Sequence, residues 1–118
     1  MKQKTYFVTG ISTEVGKTIV AAIFTQALEA DYWKPIQAGD LENSDTHKVA
    51  QLISNSKSTF HPNSYALKTP MSPHAAAEID GISIGLQQIV PPKTKNKAPN
   101  AAMPKQTCRN FGMYRDRR

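Results

Sequence analysis

Three consecutive residues, Gly16-Lys17-Thr18, carry the clearest chemistry in this sequence. A glycine, a cation and a hydroxyl at the mouth of a helix suit a triphosphate. Successive backbone N–H groups in a glycine-bounded turn form a concave anion site. The helix N-terminus adds unpaired donors and partial positive charge. Gly16 keeps a Cβ out of the approach. Lys17 reaches the β- and γ-phosphates as a point charge, and Thr18 can offer its hydroxyl to Mg²⁺. Gly10 lies before Gly16 with five residues between them. That is one more than in the simplest phosphate loop, so a variant loop is expected.

Such a loop needs a strand before it and a helix after it. Residues 5–9 are a short apolar, β-branched and aromatic run and read as a buried parallel strand. Lys17 to Leu28 read as a helix. Its Ile19, Val20, Ile23, Phe24, Ala27 and Leu28 fall on one wide stripe and are expected in the core. Residues 31–36 read as a second strand, with Pro35 ending its ladder or marking an edge. Strand, helix and strand make a right-handed βαβ unit, and ligands bind such sheets at the carboxyl ends of the strands. Lys34, at the end of the second strand, is therefore expected to share a crevice with Lys17.

Residues 37–43 read as a loop. Ser44 reads as an N-cap, with Asp45 in the first turn of a helix to about residue 54 and Val49, Leu52 and Ile53 on its apolar face. Residues 65–67 read as a short strand or extended segment. Pro70 and Pro73 mark an ordered loop, residues 74–79 begin a short helix, and residues 81–90 carry a possible helical face. From Pro91 onward no period of strand or helix is sustained. The expected architecture is α/β, a P-loop NTPase-like parallel sheet with flanking helices, truncated. Residues 1–92 form the folded part and 93–118 a basic, disordered tail.

Bulk composition agrees with one small domain of 118 residues, 39% apolar and 20% charged. No apolar run is long enough to span a membrane. The first residues lack the pattern of a signal peptide, so a cytoplasmic location is expected. Cys108 is the one cysteine and supports neither an internal disulfide nor a metal cluster. The net charge of +6 is unevenly placed. Residues 1–92 hold seven lysines against eight carboxylates, while residues 93–118 hold eight basic residues against one acidic. The body is near neutral, so no nucleic-acid partner is expected for it.

Four segments occur together and in order: Gly10 to Thr18, Lys34-Pro35-Ile36-Gln37-Ala38-Gly39, Asn43-Ser44-Asp45 and Ser72-Pro73-His74. With them the sequence resembles dethiobiotin synthetase over residues 4–90. The resemblance implies ATP- and Mg²⁺-dependent ring closure of 7,8-diaminononanoate with CO₂ to dethiobiotin, in biotin biosynthesis, by a homodimer. It implies that Lys34 is the active-site lysine. It also implies that Glu14, Val15, Gly16, Lys17, Thr18, Ile19 and Asp45 bind the nucleotide, with Thr18 and Asp45 on the metal. The alternative for Lys34 is a solvated lysine at a strand end, and for Asp45 a charge pairing with the helix dipole. Thr13 and Glu14 are candidates to face substrate or a partner subunit. His74 is either a structural hydrogen-bonding residue or a wall of the substrate pocket. His47 and His61 read as surface.

Two departures from that family stand out. Ala38 replaces the usual hydroxyl residue, at a cost of one hydrogen bond, about 1 kcal/mol. From about residue 98 the chain lacks the apolar strand and Glu-Gly-Ala-Gly-Gly segment of the family, and a shifted reading frame or an altered end is expected there. A sheet covered on too little of its surface is then expected to fold poorly and turn over slowly. The other readings are another P-loop ATPase, such as a partitioning ATPase, and a non-catalytic fragment with a basic binding tail.

Overall fold

The computed structural model describes residues 4–9, 16–96 and 102–106. Gly10, Thr13, Glu14, Val15, Cys108 and residues 107–118 lie outside the described residues. Among the described residues nine elements follow in chain order: β1 (Lys4–Val8), α1 (Lys17–Leu28), β2 (Tyr32–Trp33), β3 (Ile36–Ala38), α2 (Asp45–Leu52), β4 (Phe60–His61), β5 (Tyr65–Leu67), α3 (Pro73–Asp80) and β6 (Ala102–Gln106). Short 3₁₀ turns stand at Leu41–Asn43 and Leu86–Gln88. The latter is all the helix that residues 81–90 make.

The strands form two parallel sheets, one in the order β1-β6-β2-β4 and one pairing β3 with β5. The expected second strand is thus two strands in two sheets. Pro35 is the reason: it has no N–H to give a ladder. Its carbonyl instead accepts from Ser64 N at 2.7 Å and Tyr65 N at 3.0 Å. The Lys34 carbonyl accepts from Asn63 Nδ2 at 2.7 Å. Chain direction changes at Lys34-Pro35, and the expected loop from Gln37 begins as strand instead.

Residues 91–96 run without regular structure, as their sequence suggests, but Ala102–Gln106 does not follow the expectation of an irregular tail. It lies between β1 and β2, with Thr5 opposite Met103 and Trp33 opposite Lys105. Pro104 stands in the middle of this inner strand opposite Tyr6 and offers no N–H to the ladder. The stretch before it is also tied down. Asn96 Nδ2 donates to Glu29 O at 2.6 Å and to Asp31 Oδ1 at 3.2 Å.

Core packing corrects the reading of α1. Ala21, Ala22 and Thr25 face inward, with Val8, Tyr32 and Val49. Ile19, Val20, Ile23 and Phe24 are 53%, 41%, 60% and 45% exposed. The helix is apolar on both sides, and its small side chains fit the close approach to the sheet. A second cluster joins Ile36, Leu67, Ala76 and Ala77. His61 is also not a surface residue: its ring Nε2 meets the buried carboxylate of Asp31 at 3.0 Å. Among the described residues no helix is long and apolar enough to cross a membrane.

Candidate functional site

The start of α1 is set by Gly16, whose φ of +83° lies in the left-handed region that glycine enters without strain. Among the described residues no side-chain hydrogen bond caps this helix start, where the backbone N–H groups of the first turn point out of the helix end. Gly16, Lys17, Thr18 and Ile19 line a cavity of about 760 Å³. Lys34, Gln37 and Ala38 line it from the second strand region, Asp45 and Lys48 from α2, residues 70–72 from the loop before α3 and Pro73 from the start of α3. Six of the residues expected at the site are therefore together: Gly16, Lys17, Thr18, Ile19, Lys34 and Asp45. Glu14 and Val15 lie outside the described residues.

Lys34 is only 5% exposed, and its Nζ forms an ion pair with Asp45 Oδ2. It is not the solvated lysine that a strand end alone would suggest. A buried ammonium needs such a partner, because burial disfavours an isolated charge by several kcal/mol or more. Asp45 occupies the first position of α2, where the dipole also favours a carboxylate.

The Asp45 end of α2 is built by a capping box of unusual composition. Ser44 Oγ accepts from His47 N at 3.4 Å, and His47 Nδ1 accepts from Ser44 N at 3.1 Å. His47 thus takes the place that Glu or Gln fills in the common box. Gly39 has φ +76°, and a Cβ there would meet Pro70 Cβ at 2.5 Å. Its N–H donates to Leu67 O at 2.9 Å. The glycine brings the two walls of the cavity together. His74 is exposed, and the wall at that point is Ser72 and Pro73.

Sequence reasoning gave no role to Gln37, Asp40, Lys48 or Gln51, all of which line the cavity. Lys48 sits three positions after Asp45 and Gln51 three after Lys48, so each is a surface neighbour of the one before it along α2. Nothing local to Gln37 announced its role. Its contacts come from residues two and eight positions away.

Parallel strands joined through helices, with a glycine-lysine-threonine helix start beside a cavity at the strand ends, define a P-loop α/β domain. Residues 4–103 match the AAA domain family, and the chain belongs to it. Within that class it is similar to proteins named ATP-dependent dethiobiotin synthetase BioD. It is 66% identical to that of Christiangramia forsetii over 92 residues, which is 78% of this chain and 44% of that protein. It is 53% identical to that of Cytophaga hutchinsonii over 91 residues, 77% of this chain and 44% of the relative. The relative from Chlamydia pneumoniae is 55% identical over 87 residues, 74% of this chain and 38% of the relative. The chain therefore spans less than half the length of the curated relatives it matches.

Proposed function

We propose that this chain carries the nucleotide-binding half of an ATP-dependent dethiobiotin synthetase. The observation that supports it most is the shared cavity: Lys34, paired with Asp45, lines the same space as Gly16-Lys17-Thr18. In the reaction one amine of 7,8-diaminononanoate adds to CO₂ and loses a proton, giving a carbamate. A carbamate oxygen takes the γ-phosphoryl group of ATP, releasing ADP. The second amine attacks the activated carbon, phosphate leaves, and the cyclic urea closes.

Each residue has a part in this scheme. Gly16 and the first N–H groups of α1 cradle phosphate oxygens. Lys17 holds the β- and γ-phosphates, and Lys34 neutralises charge that develops between the γ-phosphate and the carbamate. Positioning and charge supply most of the catalysis in phosphoryl transfer, so a paired, buried lysine suits the task. Thr18 and Asp45 offer hard oxygen donors to one cavity. That fits Mg²⁺, which takes one or two protein oxygens and leaves the remaining positions to water and phosphate. When bound, Mg²⁺ would offset charge on the transferred phosphate. A homodimer in the cytoplasm belongs to the same proposal.

The test has two parts. Calorimetry with MgATP should show binding to this chain that Lys17→Ala abolishes. Growth of a biotin-requiring strain should be restored by this chain extended with the remaining sequence of the Christiangramia relative, and not by this chain alone. Failure of the extended chain to bind MgATP or restore growth would defeat the proposal.

A further inference from the structure

We infer that Gln37 is a positioning residue that sets the Asp45 carboxylate for its work beside the metal and nucleotide. This rests on the reading under Proposed function.

Gln37 is 5% exposed, and both ends of its side-chain amide are engaged. Nε2 donates to Gly39 O at 3.0 Å, and Oε1 accepts from Asp45 N at 3.3 Å. The two partners fix the amide's orientation, since a carbonyl only accepts and a backbone N–H only donates. The bond to Gly39 holds the side chain against its own strand end. The bond to Asp45 then reaches across to α2 and satisfies one of the helix's otherwise unpaired first N–H groups. Ser44 caps a different donor, that of His47. The result is a strut from β3 to the residue whose carboxylate pairs with Lys34. Residues that orient a metal-side carboxylate commonly change metal affinity by about 10–100-fold when replaced.

A merely structural cap would weaken ATP binding with and without metal alike. A positioning residue weakens only the metal-dependent part. ATP affinity of the full chain is therefore measured by calorimetry in Mg²⁺ and in EDTA. Gln37→Met, close in size, should lose about tenfold in Mg²⁺ and nothing in EDTA. In an Asp45→Asn background the same replacement should cost nothing further. Gln37→Glu keeps the acceptor for Asp45 N–H but gives up the donor to Gly39 O, so it should retain part of the Mg²⁺ gain, which covers the case that the methionine variant does not fold. Equal loss in both conditions, an additive loss beyond Asp45→Asn, or loss of the Mg²⁺ gain in Gln37→Glu would overturn the inference. If the unaltered chain binds no ATP, the nucleotide-site reading and this inference fall together. If it binds with a Mg²⁺ gain that Gln37→Met retains, only this inference fails.

Discussion

Lys34 is 5% exposed, while the side chain of Asp45 keeps 20% of its surface in contact with solvent. Asp45→Ala leaves the buried ammonium without its counter-charge. Breaking a buried pair from one side costs about 3–5 kcal/mol, and the partial exposure here argues for the lower end, about 3 kcal/mol. Lys34→Met does something different. It removes the more deeply buried charge with its desolvation penalty and keeps most of the volume, and the carboxylate left behind is 20% exposed and sits at the favourable N-terminus of α2, so the cost should be smaller, about 1 kcal/mol. In the double variant Asp45→Ala has little left to break. The coupling between the two sites should then be about 2 kcal/mol. Trp33 is a built-in reporter: it is the sole tryptophan, 2% exposed, and its Nε1 donates to Pro62 O at 3.1 Å. Urea unfolding followed by its fluorescence gives all four corners of the cycle. Equal costs for the two single variants, adding in the double, would refute a buried, mutually dependent pair.

Three further outcomes are expected. Gly39→Ala should cost about 3 kcal/mol, from left-handed backbone and the contact with Pro70, and read as a lowered urea midpoint; a change under about 0.5 kcal/mol would contradict the packing described. Burial pushes the Asp31 carboxyl up, but hydrogen bonds from Thr94, His61, Thr59 N–H and Asn96 outweigh it, leaving the value below its ordinary 3.8. Its stabilisation is therefore full above that value and lost as pH falls through the folded one, so Asp31→Asn should flatten the acid limb of urea midpoint against pH; an unchanged limb would contradict this. Ile23→Lys on the outer face of α1 should alter stability by less than about 0.5 kcal/mol and reduce self-association in light scattering, whereas a loss above about 2 kcal/mol would restore Ile23 to the core.

How much of this was legible depended on range. The strand, the glycine turn and the helix start around Gly16 are local, and the sequence pattern located β1, α1 and the cap at Ser44. The family pattern named Lys34 and Asp45 separately, and their pairing, which spans eleven positions, was not legible in the sequence. The sides of α1 were misread because apolar residues surround it, and size decided burial: Ala21 and Ala22 fit against the sheet and Ile23 does not. β6 broke the expected rules, with Pro104 and Lys105 in an inner strand. Gln37 bonds to Gly39, just past its own strand, and to Asp45 on α2, and no local spacing announces the second contact.

In the proposed function Lys17 from α1 and Lys34 from the end of β2 serve one triphosphate. Calorimetry of MgATP and MgADP binding to the extended chain, with and without Lys34→Met, tests it most directly. Lys34→Met should weaken ATP by about 1.5–3 kcal/mol, the range of a hydrogen bond to a charged group, and leave ADP nearly unchanged. Equal effects on both nucleotides, or none on either, would contradict it.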